Sequence, residues 1–303
     1  MQARRAAPAS ACAGSGAGGS ELDLSCIILT WNSAAYVQAC IGSVLADLQS
    51  SGLRHEVLVI DNGSTDATLE LLSALAGPAL TVIALGHNTG TTFSRNIGLR
   101  MARGRFLAVL DSDIEIDQPG VFRQLIEHLQ AHPAIGLVAP RLRFPSGHHQ
   151  KTVDVFPTLL HKVRRLLRLR AMEAEEGRAG VGEQPTEVDY AVSAFWVMPR
   201  ALPQRIGLLD EKIFYAPEDV DYCLRTALAG LRVVYLPAAV ATHHAQEISR
   251  RSVFSRSFGL HLLGLAYFFR KHRFVFGLGG IYRRIDRARR ALDGTGGQDR
   301  TVA

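Results

Sequence analysis

The chain has 303 residues, 47% hydrophobic and 20% charged, with a formal net charge of +6, which suits one large α/β domain or two small ones and excludes a disordered or fibrous chain. Four cysteines (Cys12, Cys26, Cys40, Cys223) without a CxxC pair exclude a disulfide scaffold and a structural zinc site, and fit a reducing compartment. The longest apolar run, Phe258–Phe269, contains His261 and is too short to span a bilayer.

Residues 1–20 are rich in Ala, Gly, Ser and Pro and lack an apolar h-region, so they read as a disordered tail, not a secretory signal. Gly14, Gly16 and Gly19 match GxGxxG but precede the first strand, where a dinucleotide loop cannot lie. LSCIILT (Leu24–Thr30) is a continuous apolar run of buried parallel-strand type. Asn32 or Ser33 is positioned to cap the next helix, whose apolar face falls at Tyr36, Val37, Cys40, Ile41, Val44, Leu45 and Leu48. HEVLVID (His55–Asp61) predicts a second strand, followed by a helix carrying Leu69, Leu72 and Leu75, and TVIAL (Thr81–Leu85) a third strand. Phe93–Gly104 reads as a helix ending at a glycine, and Arg105–Asp111 as a fourth strand. Strand–helix–strand repetition with short connections implies parallel pairing and right-handed crossovers.

Val121–His132 predicts a helix and Ile135–Ala139 a strand. Arg141–Val188 has no clear period and reads as a variable insertion with one amphipathic helix at Leu159–Arg170. Patterning returns at Val188–Met198. Phe214–Gly230 then predicts a helix with Pro217 near its start, Glu218, Asp219 and Asp221 in its first turns, and Gly230 at its end. Leu231–Pro237 and Ala239–His244 predict the last strands, and the remainder predicts helices with one apolar and one basic face. Basic runs at 161–170, 248–256, 269–273 and 282–290 fit either solvated helix faces or attraction to phosphate and lipid headgroups. Scattered over helices with no recognisable motif, they do not indicate a nucleic-acid binder.

Thr30–Trp31–Asn32, Asp61–Asn62 and Asp111–Asp113 each stand at a strand end, and in an open parallel sheet those ends share the edge where ligands bind. Asp111-Ser112-Asp113 closes an apolar strand with carboxylates one residue apart. Such groups are seldom buried without a partner and suit a hard divalent cation. The bland alternative is an acidic turn leaving the strand.

SCIILTWNSAAYVQACIGSVL, EVLVIDNGSTDAT, NTGTTFSRNIGLRMARGRFLAVLDSD, LLDEKIFYAPEDVDYCLR and VATHH, in this order, resemble the family 2 glycosyltransferases, most of all a rhamnosyltransferase-like branch that builds surface polysaccharides. The similarity covers about Ser25 to Arg273. It implies a GT-A fold: a Rossmann-like, mostly parallel central sheet flanked by helices at 21–247, here with a basic helical extension at 248–303. It also implies inversion at the anomeric centre of a nucleotide sugar, a UDP- or dTDP-linked donor, Mg²⁺ or Mn²⁺ as cofactor, and a glycan or lipid-linked acceptor. Carried over by position, Thr30, Trp31, Asn32 and Asp61 would hold nucleobase and ribose, and Arg95 with Asn96 would lie near the diphosphate. Asp111 would face ribose and metal, Asp113 would bind metal directly, and one of His243 and His244 would reach metal or diphosphate. Asp219 would be the general base, its rival role being to complement a helix dipole; Asp221 reads as structural. A catalytically degenerate homologue would lack Asp113 or Asp219. A sugar-nucleotide pyrophosphorylase would need a glycine-rich basic loop where this chain has Trp31–Tyr36. Asp-Ser-Asp where relatives often carry Asn-Pro-Asp, and the bulky Ser193–Arg200 segment, leave donor and acceptor open. The protein is expected in the cytoplasm, with the C-terminal helices resting either on the domain or on the inner membrane face.

Overall fold

A computed structural model describes residues 22–159, 182–244 and 256–295. The tail at 1–20, most of the helix expected at Leu159–Arg170 and the basic run at 248–256 lie largely outside these residues. The strands are β1 (Leu24–Thr30), β2 (His55–Asp61), β3 (Leu80–Ala84), β4 (Phe106–Asp111), β5 (Ile114–Glu115), β6 (Ile135–Arg143), β7 (Val153–Asp154), β8 (Thr186–Val188), β9 (Tyr190–Ala191), β10 (Phe195–Pro199) and β11 (Arg232–His243). The helices are α1 (Val37–Ser51), α2 (Thr68–Leu75), α3 (Thr91–Met101), α4 (Val121–Ala131), α5 (Ala201–Ile206), α6 (Glu218–Leu228), α7 (Arg256–His272) and α8 (Gly279–Thr295).

A nine-stranded sheet runs β3-β2-β1-β4-β10-β6-β11-β5, with β8 added against β11. The β3-β2-β1-β4 half is parallel, β10 is antiparallel to both its neighbours, and β6 and β11 are again parallel. Two reversals at β10 give β11 the direction of β4. Both therefore deliver their C-terminal residues to one rim. The central strands are buried on both faces, which is why they read as unbroken apolar runs.

The structure moves several expected boundaries. No side chain caps α1: its N-cap is Tyr36, while Ser33 O accepts from Tyr36 N and Val37 N. Asn32 (φ 50°) instead accepts from Thr65 N at 2.8 Å, so its side chain ties the β1 and β2 exits together. α3 begins at Thr91 because Thr91 N donates to Phe214 O at 2.8 Å; Gly90 (φ 88°) lies so close to Phe214 that a side chain would strike it. α3 also ends at Met101, short of Gly104. The two strands expected near the end of the domain are one, β11, bulged between Leu236 and Val240 around Pro237, which has no N–H to give the ladder. Within 141–188, Arg141–Arg143 extend β6 and Thr186–Val188 form β8. α7 and α8 pack on α6 through Phe268, Leu265, Ile281 and Ile285 against Val220 and Leu224.

Candidate active site

The rim is built by strand register. Thr30 pairs with Asp61 across β1 and β2, and Leu29 pairs with Asp111 across β1 and β4. The Asp111–Asp113 turn is then pinned from several directions. Asp111 N donates to Ala194 O, Ser112 N to Leu29 O, and Ser112 Oγ meets Ser33 Oγ at 2.7 Å. Asp113 O accepts from His244 N at 2.9 Å. A turn fixed by backbone on both flanks presents its carboxylates with little freedom.

β11 brings the imidazole. A ligand atom from each of Asp111, Asp113 and His243 lies within 4.8 Å of the others, with all three side chains half-buried. His243 Nε2 is 3.3 Å from Asp113 Oδ1, and His243 Nδ1 is 2.8 Å from Gln150 Oε1. The Gln150 oxygen is an acceptor, so Nδ1 carries a proton and Nε2 is left to face the carboxylates. Burial depresses the basicity of His243, but the Asp113 hydrogen bond and the charges of Asp113 and Asp111 outweigh it and raise its pKa. Burial raises Asp111 as well, with Asp113 adding to that effect and Arg95 opposing it. Two clustered carboxylates supply the oxygen ligands that a Mg²⁺ or Mn²⁺ ion takes, and an imidazole whose far nitrogen is held by an outer hydrogen bond can complete such a set. The residues fit the cation.

His244, one residue past the end of β11, turns the other way. Its Nε2 lies 2.9 Å from Glu115 Oε2 and its ring is 5.3 Å from that of Tyr36. The structure thus brings His243 into the cluster and leaves His244 outside it.

Arg95 is fully buried on α3, and its guanidinium does not project into open space. Nη2 bonds Asp111 Oδ1 and Ser193 O, while Nη1 bonds Ser193 Oγ at 2.6 Å and Glu218 Oε1 at 3.2 Å. Ser193 Oγ also donates to Glu218 Oε1 at 2.8 Å. Asn96 holds Leu209 through both its amide nitrogen and its oxygen. One arginine therefore yokes the end of β4 to the start of α6, where Glu218 and Asp219 stand side by side. Burial and the neighbouring Asp219 charge push Glu218 up to about 8 despite Arg95 and Ser193. Asp219 is half-buried, with Oδ1 accepting from Val220 N at 2.8 Å.

At the β1–β2 end, Asp61 is fully buried and accepts from Ser64 N, so it shapes its own turn. Thr30 Oγ1 is buried without a partner among the described residues, whereas Trp31 is 39% exposed beside it. Ser193, Gln150 and the pairing role of Glu218 were missed by sequence reasoning. Ser193 and Glu218 do fall in recognisable segments; Gln150 lies in a stretch without period and carried no signal.

The family model for glycosyl transferase family 2 matches residues 25–183, more than half of the chain. The chain belongs to glycosyltransferase family 2. It is 39% identical over 109 residues to the succinoglycan biosynthesis protein ExoO of Rhizobium meliloti, covering 36% of this chain and 30% of that protein. It is 39% identical over 77 residues to the rhamnosyltransferase WbbL of Escherichia coli, covering 25% and 29% respectively, in keeping with the branch anticipated from its motifs. Matches span from 17% to 43% of the length of three curated relatives. Among solved structures it resembles the mannosyltransferase PcManGT of Pyrobaculum calidifontis in complex with GDP-Man and Mn²⁺, with a TM-score of 0.53, 17% identity, and coverage of 93% of this chain and 77% of that one. That likeness establishes the GT-A fold, and the glycosyltransferase assignment rests on the family.

Proposed function

We propose that this glycosyltransferase is an inverting, cation-assisted enzyme that moves a hexose or deoxyhexose from a UDP- or dTDP-sugar to a glycan or lipid-linked glycan in surface polysaccharide synthesis. The observation that carries the reading is the junction of the Asp111–Asp113–His243 cluster, through Arg95, to the Glu218–Asp219 pair. Trp31, Thr30, Asn32 and Asp61 would flank the nucleoside, with exposed Trp31 as a stacking wall. Asp111, Asp113 and His243 would hold Mg²⁺ or Mn²⁺, which when bound offsets the negative charge developing on the departing diphosphate.

Asp219 is the proposed base. The acceptor oxygen forms its bond to the anomeric carbon as the carbon–phosphate oxygen bond breaks, and the acceptor proton passes to Asp219. Burial and the Asp219 charge raise Glu218 and so favour its protonated form, which leaves Asp219 the better base of the two. Arg95 neutralises Asp111 and so fixes its orientation.

The domain would span 21–247 and the extension 248–303. Among the described residues no helix is long and apolar enough to cross a membrane. Leu263 and Phe276, 70% and 76% exposed among basic residues, support peripheral contact with an anionic inner membrane face, where a lipid-linked acceptor would lie. The test is a donor screen following released nucleoside diphosphate, with and without Mn²⁺, on wild type and Asp219→Asn. The variant should bind donor and fail to transfer; full activity in it would remove the base assignment.

A further inference from the structure

The start of α6 needs an external anchor. Its N-cap is Pro217, with no side-chain cap hydrogen bond, yet its first turn carries the buried Glu218 and the proposed base Asp219. The anchor comes from one face of α7. Gly264 lies directly on the Ala216 carbonyl, and a Cβ there would overlap that oxygen and stand 3.3 Å from Pro217 Cδ. Two turns further on, His272 Nε2 and Lys271 Nζ reach Asp221 Oδ1 at 2.8 and 2.7 Å. Asp221 has no exposure, and Arg225 holds its other oxygen at 2.9 Å. Positions 264, 268, 271 and 272 share one helix face, and Phe268 fills the space between the polar ends.

The same face governs a second limb of the site. Lys271 Nζ and Tyr267 Oη both contact Asp210 Oδ2, at 2.7 and 2.9 Å. Asp210 begins the loop whose Ile213 and Phe214 carbonyls accept from Thr92 Oγ1 and Thr91 N at the start of α3. α3 is the helix that supplies Arg95. A single helix outside the strand–helix alternation thus touches the chain just before Glu218, just after Asp219, and at the loop seating Arg95.

We propose that α7 is a positioning element of the transfer reaction, in which Gly264, Lys271 and His272 set the place of Asp219 relative to the Asp111–Asp113 rim. The proposal rests on the reading of Asp219 as base. It gives the C-terminal extension a task in the chemistry, separate from any contact with a membrane. Leu265 and Phe268 of α7 pack on α6 and its ionic residues at 271 and 272 point inward to Asp221, while Leu263 on the opposite side stays exposed.

The experiment compares Gly264→Ala, His272→Leu and His272→Gln in the full chain. Three quantities are read for each: kcat and KM for the sugar nucleotide that wild type turns over, UDP and dTDP affinity with Mn²⁺ by calorimetry, and the thermal midpoint. A displacement near an ångström in a catalytic group costs about 10²-fold in rate. Gly264→Ala and His272→Leu should therefore lose kcat on that scale, with donor KM and nucleoside diphosphate affinity unchanged. His272→Gln, which keeps a donor toward Asp221, should recover most of the loss. Unchanged kcat in Gly264→Ala and His272→Leu overturns the proposal. So does a kcat loss matched by an equal loss of calorimetric binding stoichiometry with a lowered thermal midpoint, which would mark a folding defect. Asp219→Asn, run alongside, separates this claim from the one beneath it: full activity there removes the base, whereas an inactive Asp219→Asn beside unaffected α7 variants removes only the positioning role.

Discussion

Replacing Glu218 by glutamine should flatten the pH dependence of stability, and the structure gives both sign and size. Glu218 is 6% exposed, and its pKa stands at about 8 against an ordinary value of 4.5, because burial and Asp219 disfavour its charge more than Arg95 favours it. Between those two values the folded protein keeps a proton that the unfolded chain releases. The native state binds more protons there, so this group's stabilisation is complete below the unfolded value and is lost as pH rises through the folded one. The slope approaches about 1.4 kcal/mol per pH unit for a single group. With an unfolding entropy proportional to chain length, that corresponds to roughly 2 °C of Tm per pH unit in a protein of this size. The glutamine side chain would preserve the shape and the acceptor oxygen that Arg95 and Ser193 use, while removing the titration. Urea unfolding of wild type and Glu218→Gln, followed by circular dichroism at intervals from pH 5 to pH 8, measures the difference between the two slopes. Parallel curves would refute the argument, since they would mean that Glu218 is already ionised in the fold.

Three further outcomes follow from the site. His243→Ala and Asp113→Ala should each weaken Mn²⁺-dependent UDP or dTDP binding, about 10- to 100-fold if they ligate the ion, whereas His244→Ala should leave it unchanged; calorimetry with and without Mn²⁺ distinguishes them. Gly90→Ala should destabilise by about 1–3 kcal/mol, because φ 88° with ψ 163° is a conformation open essentially to glycine alone and Phe214 stands in the way of a side chain, with thermal denaturation as the check. Trp31→Ala should reduce nucleotide affinity by about 1–3 kcal/mol if its ring stacks on the base, while the thermal midpoint stays near wild type because the ring is half-open to solvent.

The β1, β2 and β4 strands were legible because burial on both faces leaves an unbroken apolar run, and their ends announced the rim. Helix starts were less legible. Asn32 looks like a cap in one dimension, but its side chain is claimed by Thr65, a partner 33 positions away. β11 looked like two strands because Pro237 interrupts the pattern, and only pairing with β6 shows that a bulge absorbs it. At the site, the acidic residues declared themselves through spacing, but their division of labour did not. Glu218 and Asp219 are neighbours in sequence, and the difference between them comes from Arg95, Ser193 and burial, contributed by segments 123 and 25 positions distant. The choice between His243 and His244 likewise depends on where β11 ends against β5, which no local pattern encodes.

Charge balance explains why these parts must operate together. Asp111, Asp113 and Asp219 bring three negative charges to the rim once Glu218 is protonated, and Arg95 cancels one of them. A nucleoside diphosphate approaching that surface would meet net repulsion. A divalent cation between Asp111, Asp113 and His243 would remove it, and would draw the diphosphate toward the end of β4 and away from Asp219. Were Glu218 ionised, the cation would leave a residual negative charge beside the departing phosphate, and the two α6 carboxylates would compete for one proton. Burying Glu218 beside Asp219, against the opposing pull of Arg95 and Ser193, therefore serves both ends of the reaction. It lets a bound cation bring the rim to neutrality before the donor arrives, and it leaves Asp219 as the α6 carboxylate that takes the acceptor proton.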